Sequence, residues 1–375
     1  MDPLLSYACS AQPKIIHLIQ ALVECESPSD DAMALERFVD LMSDVVAPIA
    51  KIRTYRGGHM RCDFKLPGKR QSGQVLVLGH IDTVWPLGTL QSMPFRQARG
   101  RLWGPGVLDM KSGLAFFVHA MRALRDLDVQ VSKRVVLQLN ADEEVGSDSS
   151  RALTEEAARQ SDAVLVLEPG TGLAGKLKTA RKGVGGYTVT VRGVASHAGV
   201  DFETGASAIL ELARQIGRIS GFTNLGQGIT VNPGVISGGT RSNVVAAGAS
   251  AEVDIRVARL KDFPALDRRF RGLRPVDRRC KLEVKGGLNR PPMERTAGVR
   301  RLFKLAQKLA LDLGVEVEES STGGGSDGNF TAALGVPTLD GLGSVGEGAH
   351  AAHESILVNR IADRTALLAK LVAAL

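Results

Sequence analysis

Residues that can bind a metal follow three apolar, strand-like runs in the first half of the chain. The runs and their polar ends are 75–78 with His80 and Asp82, 135–139 with Asp142, Glu143 and Glu144, and 163–167 with Glu168. In an open α/β sheet, side chains just beyond the carboxyl ends of the strands share one crevice, where such folds bind ligands. We therefore expect these histidine and carboxylate side chains to converge on one site.

A further carboxylate, Asp109, lies in the glycine-flanked segment Gly104-Pro105-Gly106-Val107-Leu108-Asp109-Met110-Lys111-Ser112-Gly113. Zinc binds imidazole nitrogen and carboxylate oxygen, and its catalytic sites leave a position open for water. Hydrolases often hold two such ions about 3.5 to 4 Å apart, joined by shared ligands. Asp109 suits the shared position because its loop can turn the carboxylate into the crevice.

Glu143 and Glu144 are adjacent, so their side chains cannot point in the same direction. One can bind a metal while the other manages the proton of the attacking water. The competing interpretation is a solvated start of a helix, which is typical of an isolated Asp-Glu-Glu. The position of this triplet directly after a buried strand, and before Gly146, favours the metal site.

The composition is that of an ordinary soluble globular protein. Of 375 residues, 44% are hydrophobic and 23% are charged, and the length favours two domains. The net charge is +7, and the basic residues are scattered along the chain. The densest basic stretch, 267–281, is interpreted as a solvated helix face, with a partner surface as the alternative. Because aromatic residues at 4% offer few platforms for stacking bases, we predict no nucleic-acid partner.

Cysteine usage and apolar runs bear on the cellular location. Cys9, Cys25, Cys62 and Cys280 are widely spaced and form no C-x-x-C pair, which favours reduced thiols in the cytoplasm over a redox or thiolate zinc motif. No run approaches 18 apolar residues, so we predict no contact with a membrane. We expect a cytoplasmic protein, or a periplasmic or secreted one if a leader was removed.

The spacing of apolar residues divides the chain into three stretches. Residues 1–181 alternate helix and strand patterns, which is typical of a sheet covered by helices. Residues 182–288 follow the order βαββαβ, which describes a small α+β domain. Residues 289–375 return to the first rhythm. We therefore predict an α/β fold in which a mixed-sheet catalytic domain, 1–181 and 289–375, is interrupted by the inserted α+β domain.

The predicted elements of the two outer stretches are helices at 12–25, 30–47, 112–127, 298–313 and 359–375, and strands at 60–66, 74–79, 134–140, 163–167 and 336–339. One more helix is expected between the strands at 134–140 and 163–167. These elements place the candidate metal ligands in the loops that follow the strands.

Several glycine-rich segments do not match nucleotide-binding motifs. The run from Thr322 to Asp327 lacks the Gly-Lys-Ser/Thr of a P-loop, and no G-x-G-x-x-G follows the first strand. The H-E-x-x-H signature of helical zinc proteases is also missing. We infer that these glycines allow the backbone to approach a ligand closely.

Seven motifs together resemble those of the M20 metallopeptidases, most closely the glutamate carboxypeptidase (carboxypeptidase G2-like) branch. They are the Asp109 segment, Gly79-His80-Ile81-Asp82-Thr83-Val84, Asp142-Glu143-Glu144-Val145-Gly146-Ser147, Leu167-Glu168-Pro169, Ser196-His197-Ala198-Gly199, Thr322-Gly323-Gly324-Gly325-Ser326-Asp327-Gly328-Asn329 and Gly348-Ala349-His350. The resemblance covers nearly the whole chain. One departure is Met110, which stands where relatives often carry aspartate and changes the polarity beside the shared carboxylate.

The resemblance implies a ligand set for two zinc ions, with Co²⁺ or Mn²⁺ as substitutes. The ligands would be His80 and Glu168 for one ion, Glu144 and His350 for the other, and Asp109 for both. Asp82 would hydrogen-bond His80 and fix its tautomer, and Glu143 would be the general base. His350 precedes Glu354 by four residues, as the family's ligand does, and His353 is the alternative.

The resemblance also implies residues that contact the substrate. His197, in the inserted domain, would donate a hydrogen bond to the substrate carbonyl, commonly in the neighbouring subunit's site, so the insertion would serve as lid and dimerisation domain of a homodimer. The expected substrate-binding residues are Asn243, Arg256, Arg290, Lys176 and Gly325. For Arg256, the competing interpretation is a strand residue in an ion pair.

The predicted function is that of an M20-type metallocarboxypeptidase or amidohydrolase. It would hydrolyse the amide bond to a C-terminal acidic residue, glutamate above all, of an N-acyl or peptidyl substrate. An N-acyl amino acid amidohydrolase that prefers apolar side chains is one alternative. A non-catalytic ligand-binding protein on a hydrolase fold is another, and the intact Glu143 argues against it because such a protein needs no proton carrier.

Overall fold

The computed structural model describes residues 2–69 and 71–375. The helices, in chain order, are α1 (Pro3–Glu24), α2 (Ala32–Val46), α3 (Ser112–Asp126), α4 (Arg151–Arg159), α5 (Ala208–Ser220), α6 (Phe263–Arg271), α7 (Ala297–Asp312), α8 (Gly328–Ala333) and α9 (Ile361–Ala374). The strands are β1 (Ala50–Tyr55), β2 (His59–Phe64), β3 (Gln74–His80), β4 (Arg96–Ala98), β5 (Arg101–Trp103), β6 (Arg134–Asn140), β7 (Ala163–Val166), β8 (Leu177–Arg181), β9 (Gly183–Arg192), β10 (Thr230–Gly238), β11 (Gly248–Val257), β12 (Lys281–Arg290), β13 (Glu319–Thr322), β14 (Thr338–Leu339), β15 (Gly346–Glu347) and β16 (Ser355–Leu357).

The chain forms two compact units. Unit 1 comprises the residues up to Ala180 together with Arg295–Thr322 and Ser326–Leu375, and unit 2 comprises Arg181–Glu294 and Gly323–Gly325. The domain limits expected from the sequence, 181/182 and 288/289, stay predictions, and so does the role of the insertion as lid and dimerisation domain.

Unit 1 is built around a six-stranded mixed sheet in the order β1-β2-β6-β3-β7-β14. The pairs β1–β2 and β2–β6 are antiparallel, whereas β6–β3, β3–β7 and β7–β14 are parallel. Parallel strands need helical crossovers, which cover the faces of the sheet. The predicted mixed α/β fold is therefore confirmed.

Helices bury both faces of this sheet, which explains why the middle of strand β3, 75–78, is apolar without interruption. Every residue of β3 is buried. Val75 and Val77 belong to the core that includes residues of α1, α3 and α9, while Leu76 and Leu78 belong to a second core with Ala157 and Ala158 of α4. Successive side chains of a strand point to opposite faces, so the central residues of a strand that is covered on both sides are all apolar.

Helix α1 is longer than the sequence predicted, because it begins at Pro3 and not near residue 12. Asp2 caps it by accepting hydrogen bonds from the backbone N–H groups of Leu4 and Leu5. Pro13 lies inside the helix, where it removes one backbone donor. The helix continues through it because the buried side chains follow helical spacing from Leu4 to Val23.

Unit 2 has a four-stranded antiparallel sheet in the order β10-β11-β9-β12. Along β9 the residues alternate between buried and more exposed positions, as in a sheet covered on one face. The core on that face includes residues of α5 and α6, and it contains Tyr187 stacked on Phe270 with ring centroids 3.9 Å apart. The element order of this unit is the predicted βαββαβ.

The structure also gives the state of the cysteines and the character of the helices. Cys9, Cys25, Cys62 and Cys280 carry free thiols, of which Cys62 and Cys280 are buried and Cys9 is exposed. Within residues 2–69 and 71–375, no helix combines the length and the apolar character that crossing a membrane requires.

Candidate metal centre

The candidate ligands lie where three neighbouring strands of unit 1 end. In the parallel pairing of β3 with β6, His80 lies opposite Asn140, and in the pairing of β3 with β7, Leu78 lies opposite Val166. The loops that leave β6 and β7 carry Glu144 and Glu168. The strand ends are therefore level, and the side chains that follow them share one edge of the sheet, as the sequence predicted.

Two groups of side chains at this edge have the spacing of metal ligands. His80, Asp109 and Glu168 form the first group, and Asp109, Glu144 and His350 form the second, with the ligand atoms of each group within 4.8 Å of one another. All five residues that the sequence predicted as ligands are in these groups. Among the described residues, the alternative ligand His353 belongs to neither group.

Asp109 is common to both groups, and its two carboxylate oxygens face different histidines. Its Oδ1 lies 3.2 Å from His80 Nε2, and its Oδ2 lies 3.3 Å from His350 Nε2. Glu168 Oε1 is 3.5 Å from His80 Nε2, and Glu144 Oε1 is 3.4 Å from His350 Nε2. One carboxylate thus joins two ligand groups that have the same composition: a histidine, a glutamate and the shared aspartate.

The orientation of His80 is set by the main chain. Its Nδ1 lies 2.9 Å from the carbonyl oxygen of Asp82 and 3.5 Å from the Oδ1 atom of the same residue. A carbonyl oxygen can only accept, so Nδ1 carries the hydrogen and Nε2 of the neutral ring offers a lone pair. On the other side, the backbone N–H of His80 donates to Met110 Sδ at 3.2 Å, so Met110 packs beneath the histidine.

The carboxylate of Asp82 binds the loop that carries the two glutamates. Its Oδ1 accepts from the backbone N–H of Glu143 at 3.2 Å, and its Oδ2 accepts from Glu144 at 3.1 Å and from Ser29 Oγ at 2.8 Å. Asp82 is fully buried, so these hydrogen bonds also satisfy its charge. The sequence predicted a contact of Asp82 with His80 but gave no sign of this contact with the glutamate loop.

A second buried aspartate, Asp327, holds the far end of the same loop. It accepts from Asn140 Nδ2 at 2.6 Å and from Ser147 Oγ at 2.5 Å. Ser147 has a positive φ of 61°, which a residue other than glycine adopts only when its surroundings fix it. The glycine-rich motif around Asp327 thus contributes a buried acceptor to the site, and Asn140, at the end of β6, was not singled out in the sequence.

The surrounding carboxylates favour the protonated form of both histidines. Burial lowers the pKa of His80, but the carboxylates of Asp109, Asp82 and Glu168 outweigh it and raise the pKa well above its ordinary value. Hydrogen bonds to Asp109 and Glu144 raise the pKa of His350 to about 10. Burial tends to raise the pKa of Asp109, but the two histidines lower it below its ordinary range. A bound cation replaces these protons, because histidine ligands must be neutral.

The residues present fit divalent metal ions. Among the described residues, the partner of the buried Glu144 Oε1 is His350 Nε2, at the long distance of 3.4 Å. A buried acceptor with so weak a contact is costly, and burial raises the pKa of this carboxyl group. Histidine nitrogen and carboxylate oxygen are the donors that zinc and similar ions take in hydrolases.

Unit 2 carries two of the predicted substrate-contacting residues on adjacent segments. His197 forms a β-bridge with Val244, and the backbone N–H of Ala198 donates to the carbonyl of Asn243 at 3.0 Å. Both His197 and Asn243 are exposed. The backbone N–H of Gly199 donates to His197 Nδ1 at 3.2 Å, so in the neutral ring the hydrogen is on Nε2, which is then a donor.

Arg256 and Arg290 lie in unit 2 around the glycine-rich segment 323–325. Arg256 forms a two-bond ion pair with Asp254 at 2.9 and 2.8 Å, and its Nη1 donates to the carbonyl of Gly323 at 3.3 Å. Arg290 is buried. A Cβ atom on Gly325 would lie 3.0 Å from Arg290 Cδ, so glycine lets the segment pack on this arginine.

Lys176 completes the predicted set, and Arg181, outside that set, also contacts the glycine-rich segment. Arg181, which the sequence did not single out, is buried and donates to the carbonyls of Gly324 and Gly325 at 3.3 and 2.8 Å. Lys176, in unit 1, forms a partly exposed ion pair with Glu318 at 2.5 Å. The roles of Lys176, Arg256, Arg290, Asn243 and Gly325 in substrate binding stay predictions.

Comparison with known proteins decides the family. The model of peptidase family M20/M25/M40 matches residues 76–374. The chain belongs to this family. The resemblance seen in the sequence motifs is confirmed, and the protein is an enzyme, a metal-dependent hydrolase of the M20 class.

Relatives of this M20 chain include carboxypeptidases. Carboxypeptidase G2 of Pseudomonas sp. (strain RS-16) is 29% identical over 376 residues, covering 97% of this chain and 90% of that protein. The aminopeptidase PepT of Bacillus cereus ATCC 10987 has a TM-score of 0.77 at 21% identity, covering 96% of this chain and 98% of its own. The M20 family metallo-carboxypeptidase Sso-CP2 of Sulfolobus solfataricus has a TM-score of 0.76 at 17% identity, covering 96% and 99%. The two solved structures support the fold.

The shared position of Asp109 leads to a prediction about metal content. Asp109→Ala should lose more metal than any other single ligand change, because both ligand groups lose a member. Glu144→Ala and Glu168→Ala should each weaken one group only. Elemental analysis after loading with excess zinc, with the exposed Asp148→Ala as control, measures this. Equal losses in Asp109→Ala and Glu168→Ala would show that Asp109 serves one group.

Proposed function

We propose that this M20 enzyme is a dinuclear zinc hydrolase that removes a C-terminal acidic amino acid from an N-acyl or peptidyl amide. The observation that carries the proposal is the pair of three-residue groups that share Asp109. Each group supplies one nitrogen and two oxygens, which matches the number of protein ligands at catalytic zinc sites and leaves room for water and substrate.

The dinuclear site predicts the metal content of the protein. Loading the protein with excess zinc should give two ions per chain by elemental analysis, and one ion or none would contradict the dinuclear site.

The chemistry requires a water oxygen to add to the amide carbon, the C–N bond to break and the amine to take up a proton. When bound, a pair of divalent cations polarises the carbonyl and makes water more acidic. Glu143 is the residue of this chain suited to carry the proton. It adjoins the ligand Glu144, is absent from both ligand groups, and its backbone is held by Asp82 at 3.2 Å. We assign it the transfer from water to the leaving nitrogen.

Replacing Glu143 tests this role. Glu143→Gln should keep metal content and substrate affinity while kcat falls by about 10² to 10⁴, because the amide cannot accept the proton. Glu143→Asp should also be impaired, since the shorter side chain displaces the carboxylate. Steady-state kinetics with a chromogenic N-acyl glutamate, with the exposed Glu156→Gln as control, gives the answer. A near-normal kcat in Glu143→Gln would assign the proton transfer to another group.

We assign His197 the role of hydrogen-bonding the substrate carbonyl, in a protein that acts as a homodimer. The ring of His197 is exposed, and its Nε2–H is a donor because Nδ1 accepts the hydrogen bond of Gly199. Such a donor can stabilise the negative charge that develops on the carbonyl oxygen of the substrate. The family resemblance suggests that this histidine acts in the site of the neighbouring subunit. We therefore propose that unit 2 mediates dimerisation and closes over the substrate.

The dimer proposal predicts complementation between two inactive chains. His197→Ala should lower kcat by about 10² to 10³ without removing zinc, because one donor is lost. Mixing His197→Ala with Glu143→Gln chains should restore part of the activity, since one site of the heterodimer then has both residues. Activity is measured after unfolding and refolding the chains together, with sedimentation for the oligomeric state. A monomer, or no recovery in a proven heterodimer, would contradict action across subunits.

The proposed acidic substrate requires two carboxylates to be recognised. Arg256 and Arg290 are the arginines near matched motifs, and arginine binds carboxylates through two parallel hydrogen bonds. The relative named carboxypeptidase G2 supports a carboxypeptidase activity. An N-acyl amino acid amidohydrolase with apolar preference is the second candidate. It is favoured by the ion pair of Arg256 with Asp254, which already satisfies that guanidinium in part.

A substrate series distinguishes the two candidates. N-acyl-glutamate or N-acyl-aspartate should exceed the leucine analogue in kcat/KM by about tenfold or more, because a site built for a polar group rejects analogues that lack it. Arg256→Met should raise KM for all substrates, as expected for loss of an α-carboxylate contact. Arg259→Met, which removes a surface pair with Asp262, is the matched control. A preference for leucine or phenylalanine would establish the amidohydrolase instead.

A further inference from the structure

Glu354, which follows His350 by four residues, has a fully buried carboxylate to which the proposed mechanism gives no role. Its Oε1 accepts from the backbone N–H groups of Leu108 at 2.8 Å and Asp109 at 3.1 Å. Its Oε2 accepts from the backbone N–H of Gly106 at 2.9 Å and from the indole Nε1 of Trp85 at 2.9 Å. Four donors therefore surround one carboxylate, which is the arrangement that makes a buried charge tolerable.

The four donors and Glu354 itself belong to three different loops, and each loop contains or directly follows a candidate metal ligand. Trp85 lies in the loop that follows His80 at the end of β3. Gly106, Leu108 and Asp109 form the loop that places the shared aspartate. Glu354 follows His350 by four residues, and turns close this segment through the hydrogen bonds from Ala351 N to Gly348 O and from Glu354 N to Ala351 O, both 2.9 Å.

The loop of Asp109 depends on these contacts because it is irregular. Gly106 has a φ of 72°, and Asp109 has φ −117° and ψ 96°, so this stretch does not hold itself in place by regular helical hydrogen bonds. A Cβ atom on Gly106 would lie 2.9 Å from Thr83 Cγ2, so the loop also packs closely on the segment after β3. The carbonyl of Leu108 is bound by Ser344 Oγ at 2.9 Å. The direction of the Asp109 carboxylate follows from this backbone.

We propose that Glu354 is a positioning residue that joins the loops of His80, Asp109 and His350 and sets the geometry of both ligand groups before any cation binds. This inference rests on the proposed dinuclear site. Residues that orient metal ligands typically change metal affinity or activity by about 10- to 100-fold when they are replaced. Because Asp109 serves both groups, replacing Glu354 should weaken both ions, whereas loss of a ligand from one group weakens one.

A buried carboxylate that only stabilises the fold should affect the melting temperature and not metal binding. The chain contains such a carboxylate, which serves as a matched control. Glu211 in unit 2 is also fully buried, and it accepts from the backbone N–H groups of Val276 at 2.9 Å and Asp277 at 3.0 Å and from Gln215 Nε2 at 2.6 Å. Glu211→Gln therefore removes a buried, backbone-binding carboxylate that is in neither ligand group. It should lower the melting temperature without changing metal binding.

The experiment compares the wild type, Glu354→Gln and Glu211→Gln, each stripped of metal and reloaded. Glutamine keeps the size of the side chain but places an NH₂ group against backbone donors, which breaks part of the cluster. Competition with a chelator should show a loss of about 10- to 100-fold in affinity for both ions in Glu354→Gln and less than about threefold in Glu211→Gln. Visible absorption of the cobalt-substituted proteins should change in Glu354→Gln only, because ligand geometry differs.

The outcomes separate the two proposals. If the wild type itself binds fewer than two ions, the proposed dinuclear site fails, whatever the variants do. If the wild type binds two ions and Glu354→Gln binds both with wild-type affinity and an unchanged cobalt spectrum, while its melting temperature falls as in Glu211→Gln, the positioning role is wrong.

A measurement on the unaltered protein covers the case in which Glu354→Gln does not fold. Hydrogen exchange of the metal-free wild type should show slow exchange in peptides that span residues 104–111, because Glu354 already binds three amides of this loop. Fast exchange there, with slowing only after zinc is added, would mean that the cation and not Glu354 orders the loop, and it would overturn the proposal.

Discussion

The accumulation of negative charge around Asp109 is the constraint on which the rest of unit 1 depends. Asp109 lies with Glu168 in one group and with Glu144 in the other, and the ligand atoms within each group are at most 4.8 Å apart. These carboxylates are largely shielded from solvent. Removing one partner from a buried ion pair costs about 3–5 kcal/mol. The cluster therefore favours positive charge, which is consistent with the raised pKa of both His80 and His350 and with binding of divalent cations.

Three other buried carboxylates bind the loops that carry these ligands. Asp82 binds the amides of Glu143 and Glu144, Asp327 binds the side chain of Ser147, and Glu354 binds the amides of the Asp109 loop. Each of these acceptors is buried and lies outside the two ligand groups. The loops after the strands are irregular, so their amide groups lack partners in secondary structure, and side-chain carboxylates take that place.

Sequence reasoning succeeded for the long, strongly patterned elements. Strands β3, β6 and β7 and helices α3, α7 and α9 were predicted within a few residues, because the strands contain continuous apolar runs and the helices repeat apolar residues at helical spacing. The short strands β4, β5, β15 and β16 were missed. They contain two or three residues each, and they form a separate sheet in the order β15-β16-β5-β4. So few residues show no periodicity, and pairing with strands distant in the chain decides their conformation.

The amino-acid types and their order were enough to predict candidate metal ligands at strand ends, a glutamate beside one of them as the candidate proton carrier, and an α+β segment between the two outer stretches. These features are local, because a ligand type, a motif or a strand run is written in consecutive residues. The tertiary structure decided that the two oxygens of Asp109 face different histidines, that His350 and not His353 joins the ligand groups, and that the Asp82 carboxylate binds the glutamate loop. It also decided the surroundings of Glu354, whose hydrogen bonds reach 246 and 269 residues along the chain to Leu108 and Trp85. Contacts of that separation depend on how strands stack and loops cross, and no local pattern in the sequence encodes them.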